Sequence, residues 1–258
     1  MRELERSSTA ATGPFTLAGT SLAVVGRGRL AAAVIDGLRP APLRISEPLG
    51  HRPDLRGYDV VLLCVPDAAI AEASGEIARG PLVGHCSGAT GLDALAGHEA
   101  FSLHPLMTVP VGSDGDRLRG AGAAVAGTTT TALDCARALA TALGMRPFTL
   151  AEADRAAYHA AASVASNFLI TLEDAAERIA AGTGLAHQDL VPLVRATVEN
   201  WARLGSRQAL TGPVARGDQA TVAAQRAAVA RRTPELLSLF DAMTAATRSL
   251  AAAPAVAG

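Results

Sequence analysis

Short apolar runs alternate with segments of helical spacing over the first 150 residues, and beyond that point only helical spacing continues. SLAVVG (21–26) is a β-branched run ending in glycine, which reads as a buried strand. RGRLAAAVIDGL carries apolar residues at helical intervals and stops at Gly37 and Arg39-Pro40. LRIS (43–46), DVVLLCVP (59–66) and PLVGHCSG (81–88) read as further strands, with a helix over 68–78. FSLHPLMTV (101–109), AGAAVAG (121–127) and MRPFTL (145–150) complete the strands, and a helix over 131–144 precedes the last one. Strands alternating with helices predict βαβ units and a parallel sheet. Helices follow over 152–181, 187–204, about 217–230 and 234–251.

This pattern predicts an α/β chain, with a domain of βαβ units over 19–150 and an all-α domain over 151–252. Residues 1–18 are expected to form a disordered arm and 253–258 a frayed tail.

Composition narrows the chemistry. A net charge of −1 gives no electrostatic footprint for nucleic acid. No apolar run reaches the ~18–20 residues of a membrane span. The start lacks a secretory apolar core, so a cytoplasmic location is expected. The three cysteines form no CxxC pair, which speaks against a disulfide framework and against a metal site. All 23 basic residues are arginine. Without lysine there is no Walker-type phosphate loop and no Schiff-base chemistry.

Gly26-Arg27-Gly28-Arg29-Leu30-Ala31 is a G-x-G-x-x-A between a predicted strand and a predicted helix. Gly26 permits the tight turn, Gly28 lets backbone approach a pyrophosphate, and the helix N-terminus supplies N–H groups. Glu47 lies about 20 residues on, where an acid would take a ribose hydroxyl of NAD. Ser46 with Arg27, Arg44 or Arg52 would instead hold the 2′-phosphate of NADP, and NADP is the expected cofactor, with NAD the alternative. Val65-Pro66 ends a strand at the edge where ligands bind, and Asp67 is a candidate helix cap there.

His85, Ser87 and His104 also fall at predicted strand ends. A histidine there can position a substrate or move a proton near neutral pH. In the Ala-rich helix after residue 151, His159, Ser163 and Asn167 recur at four-residue intervals, with Tyr158 and Ser166 beside them. That spacing predicts one polar stripe. LTGPVARGD (210–218) breaks two helices, with Asp218 a plausible cap for the second. Its Arg-Gly-Asp has an adhesion reading, but the expected location favours Arg216 as a substrate carboxylate clamp.

VVGRGRLA, LLCVPDAAI, VGHCSGATGL, FSLHPLMT, AAASVASNFL and LTGPVARGD together resemble the 6-phosphogluconate dehydrogenase-like superfamily. Within it the chain most resembles a bacterial group of Rossmann-like proteins with a C-terminal domain of unknown function. The resemblance implies an N-terminal dinucleotide-binding Rossmann domain over 19–150 with a helical C-terminal domain. It implies an NAD(P)-dependent oxidoreductase related to ketopantoate reductases of pantothenate biosynthesis and, more distantly, to pyrroline-5-carboxylate reductases. It also implies a homodimer through the helical domain. The β-hydroxyacid dehydrogenases of that superfamily carry Lys, three residues, then Asn; here the spacing reads Ser163 to Asn167. The expected site therefore has Gly26, Arg27, Gly28, Arg29, Leu30, Ser46, Val65, Pro66 and Ser87 for the cofactor. His104, Ser163, Asn167 and Arg216 face a small 2-oxo acid such as ketopantoate. The missing lysine leaves as an alternative a non-catalytic dinucleotide-binding sensor or partner-binding protein, and the resemblance to pyrroline-5-carboxylate reductases leaves an imine reductase as a second.

Overall fold

A computed structural model describes residues 15–253. Its sheet has seven strands in the order β2-β1-β3-β4-β5-β6-β7. They are β1 (Ser21–Val25), β2 (Arg44–Ile45), β3 (Val60–Leu63), β4 (Leu82–His85), β5 (Ala100–Leu106), β6 (Gly122–Gly127) and β7 (Arg146–Thr149). Helices α1 (Arg29–Leu38), α2 (Ile70–Gly75) and α3 (Thr130–Ala142) connect them.

Strands β1 and β3 are buried at every position, as their unbroken apolar runs require. Alternate residues feed two cores. Leu22, Val24, Val60 and Leu62 pack with Val34, Leu38, Ala136 and Leu139 of α1 and α3 on one face. Ala23, Val25, Val61 and Leu63 pack with Ile70, Ile77 and Leu95 on the other. The two-residue period of a strand thus decides which core each side chain joins.

The sheet is not wholly parallel, in contrast to the expectation from the βαβ pattern. β6 runs antiparallel to β5, pairing Phe101 with Gly127 and Leu106 with Gly122. The link between them carries the 3₁₀ turn Gly115–Leu118 and no crossover helix. α3 then supplies such a crossover, and β7 lies parallel to β6.

The arm expected over 1–18 is corrected at its end: Phe15 and Leu17 pack against the first core. The rest of that arm, and the tail beyond Ala253, lie outside the described residues. The chain divides into compact units at Val164/Ala165, past the 150/151 boundary expected from the sequence. The sheet unit keeps the first turns of the next helix, α4 (Arg155–Ser163), because Arg155 and Tyr158 bond to β5.

The second unit contains α5 (Leu169–Ala180), α6 (His187–Ala209), α7 (Gln219–Arg232) and α8 (Leu237–Ala252). Gly205 breaks α6 with a φ of 75°, close to where the sequence pattern ends. Asp218 caps α7 as expected, its side chain accepting from Thr221 N at 3.0 Å. The buried apolar cluster of this unit is small: Ala175, Val229 and Leu236, flanked by Ile179, Leu237, Leu239 and Phe240. Arg226 makes a two-pronged pair with Asp241 at 2.8 Å across α7 and α8. Among the described residues no helix is long and apolar enough to cross a membrane.

Candidate functional site

The carboxyl ends of β1 and β3 open into a cavity of about 910 Å³. Gly26 closes β1 with a φ of +132°, and a Cβ there would sit 2.3 Å from the carbonyl oxygen of Cys64. Only glycine lets the chain turn this tightly against β3. Gly28 is different: a Cβ there would meet no atom within 4 Å. The space over the first turn of α1 is therefore open. That turn has no side-chain cap and no acidic residue, so its N–H groups face the opening without a competing anion. An anion such as a pyrophosphate fits this cradle.

Arg27, Arg52, Val65 and Pro66 line the same cavity, as do Glu72 and Glu76. The Arg27 guanidinium lies over Gly50, where a Cβ would come within 3.3 Å of it. Arg52 adopts a φ of 51° and is bonded to Glu76 at 2.6 Å. Glu47 does not line this cavity; it is exposed and pairs with Arg39 at 3.5 Å. Ser46 is buried beneath the sheet edge, accepting from Val24 N at 3.0 Å, and serves the backbone. Arg29 and Leu30 do not line the cavity either, and Leu30 packs on the first core. Among the described residues no cluster of His, Cys, Asp and Glu could hold a metal ion.

A second polar group gathers at the ends of β4 and β5. Ser87 donates to Asp67 at 2.8 Å and accepts from the N–H groups of Ala89 and Thr90. Both hydroxyl functions are thus committed to the turn, and Asp67 serves Ser87 in place of the helix-capping role expected of it. His85 is fully buried; Nδ1 accepts from Ser87 N at 3.2 Å while Nε2 faces the carbonyl of Gly91 at 3.3 Å. Burial holds its pKa below the ordinary histidine value. His85 is a buried brace of this turn.

His104 is half-buried, and its Nδ1 lies 2.6 Å from the hydroxyl of Tyr158. Burial depresses its pKa to about 4, with His159 adding to the effect. Burial also raises the Tyr158 phenol to about 12. At neutral pH the phenol keeps its proton and the imidazole is uncharged. Nearby, the buried Arg155 grips Glu152 through two nitrogens at 3.1 and 2.5 Å and donates to Ser102 at 3.2 Å. The Arg155 hydrogen bond holds the Glu152 carboxyl below its usual range. Sequence reading passed over Arg155. Its position in the first turn, three residues after an acid, was the available signal.

The stripe of His159, Ser163 and Asn167 does not form as drawn. Val164–Phe168 is a π-helical segment. A wider turn takes more residues per revolution, so Asn167 falls short of the position above Ser163. His159 and Asn167 are exposed, while Tyr158, Ala162, Ser163 and Ser166 are half-buried. Arg216 is exposed in the turn before α7, its N–H bonded to the carbonyl of Gly212 at 3.2 Å.

Residues 122–247 match the family described as Domain of unknown function (DUF2520). Among curated proteins there is no match. The fold is shared with several solved structures. Protein TM1727 from Thermotoga maritima is 22% identical, with a TM-score of 0.76 over 89% of this chain and 98% of that one. BF3122 from Bacteroides fragilis, by its description a candidate NADP oxidoreductase, is 19% identical, with a TM-score of 0.75 over 90% and 98%. The 1-pyrroline-5-carboxylate reductase of Streptococcus pyogenes is 14% identical, with a TM-score of 0.60 over 90% and 99%. The shared architecture is a Rossmann sheet followed by a helical unit.

Proposed function

We propose that this protein is an NADPH-dependent reductase of a small imine or carbonyl compound. The observation that carries this reading is the open, uncapped N-terminus of α1 over Gly28, facing a cavity that Arg27 and Arg52 also line. The arginines suit a 2′-phosphate, and the exposed Glu47, outside the cavity, is poorly placed to select a ribose hydroxyl. A bound dinucleotide would supply the hydride. Val65 and Pro66 would line its nicotinamide side, and His104 would meet the substrate.

The structural likeness to a pyrroline-5-carboxylate reductase, and to proteins described as imine reductases, supports cyclic imines as first substrates to test. Ketopantoate has no comparable support. Ser163, Asn167 and Arg216 stay in the proposal as substrate-binding groups, to be tested by alanine substitution.

Calorimetry with NADPH and NADH, followed by NADPH oxidation over a panel of cyclic imines and 2-oxo acids, tests the reading. Micromolar binding of NADPH with turnover of at least one compound is expected. Binding without any turnover would favour a dinucleotide sensor, and absence of binding would end both readings.

A second copy of the chain is the expected partner. The helical unit buries few apolar side chains while Ile170, Leu193 and Trp201 are 70%, 64% and 56% exposed. A surface this apolar suits an obligate interface. Light scattering giving the mass of a monomer at micromolar concentration would refute the dimer.

A further inference from the structure

We propose that Tyr158 is the positioning residue of His104: its phenol O–H donates to Nδ1, fixes the imidazole with its proton on Nε2, and resupplies that proton during reduction. The inference rests on the reductase reading and names the proton source that a chain without lysine must find elsewhere.

Three observations carry it. The hydroxyl oxygen stands 2.6 Å from Nδ1, and the two rings meet edge to face at 5.6 Å with planes 86° apart. Gly88 lies directly under the imidazole; a Cβ at that position would be 2.8 Å from Cε1 and 2.9 Å from Nε2. The ring is therefore held by Tyr158 from one element and by a glycine from another. Nε2 makes no hydrogen bond among the described residues, and it is not sealed from solvent.

The surroundings decide the direction of the hydrogen bond. Burial, the neighbouring His159, Arg155 on the same helix and His85 from β4 all disfavour an imidazolium, and only Asp67 opposes them. An uncharged imidazole beside a protonated phenol accepts at Nδ1, so the remaining ring proton sits on Nε2.

A carbonyl or imine that gains a hydride at carbon must gain a proton at oxygen or nitrogen. The N–H bond at Nε2 breaks as the new O–H or N–H bond forms. Nδ1 takes the Tyr158 proton in the same relay; water then protonates Nε2 while Nδ1 returns its proton to the phenolate, which restores the starting tautomer. The balance is one proton, drawn from solvent. A phenol is a stronger acid than an alcohol, so the transfer to a nascent alkoxide runs downhill.

Nitrogen-15 NMR of histidine-labelled protein tests this, with His104 assigned by its loss in His104→Gln. The wild type is expected to show an unprotonated Nδ1, a protonated Nε2 and no titration of this ring above pH ~5. Tyr158→Phe should move the titration midpoint up by about one pH unit and mix the tautomers. Gly88→Ala should shift the ring nitrogens by displacing the imidazole while Tyr158 is intact. On whichever substrate the panel identifies, Tyr158→Phe should lower kcat about a hundredfold at constant KM. A proton on Nδ1 in the wild type, or a titration midpoint unmoved in Tyr158→Phe, overturns the proposal. NADPH binding, measured separately, decides the reductase reading, and the nitrogen shifts decide the hydrogen bond itself.

Discussion

Replacing His104 with glutamine should make the protein less sensitive to mild acid. The folded imidazole has its pKa depressed to about 4 by burial, against an ordinary value of 6.5. Such a group contributes stability that is complete above the unfolded pKa and is lost as pH falls toward the folded one. Between pH ~7 and pH ~5 the unfolded chain takes up a proton at residue 104 and the folded chain does not. At about 1.4 kcal/mol per unit below the unfolded pKa, that costs the wild type about 2 kcal/mol. Glutamine keeps an acceptor within reach of the Tyr158 hydroxyl and does not titrate, so the variant is spared this loss. All other titrating groups, His85 included, are common to both proteins and cancel. Urea unfolding followed by circular dichroism at the two pH values gives the difference directly. The gap between wild type and variant should close by about 2 kcal/mol at the lower pH. If the two stabilities fall in parallel, His104 is not held neutral in the fold, and the electrostatic argument for it fails.

Four further outcomes follow from the geometry. Gly28→Ala should fold normally yet bind NADPH at least tenfold more weakly in calorimetry, because its methyl group enters only the open space over α1. Gly26→Ala should cost about 2 kcal/mol or more in thermal unfolding, since its Cβ would collide with the Cys64 carbonyl at a φ only glycine tolerates. Arg155→Met should destabilise the sheet unit by about 2 kcal/mol in urea, by leaving Ser102 buried without its donor. Asp218→Ala should lose about 1 kcal/mol of helix stability, visible as faster amide exchange in the first turn of α7.

The features legible in the sequence are those whose cause is local. SLAVV and VVLL are buried strands because an apolar β-branched run has no face to give to water. The Gly26–Gly28 turn and the Asp218 cap depend on residues within a few positions of each other, so their spacing alone announces them. Glu47 and Ser46 show the limit of such reasoning, because the right residue at the right spacing says nothing about which way it points. One became a surface ion pair and the other a prop for β1.

What the sequence by itself determined is therefore the alternation of elements, the glycine turn and the switch to helices after residue 150. The tertiary structure alone decided which polar groups meet. His104 and Tyr158 are 54 residues apart, and Arg155 and Ser102 are 53 apart. Those pairs exist because the first turns of α4 pack on β5, and the antiparallel return of β6 fixes where α4 begins. A π-helical turn then moved Asn167 out of line with Ser163. Local spacing sets the direction of a side chain relative to its own backbone, whereas long-range packing sets what stands opposite it, and acid–base chemistry depends on the second.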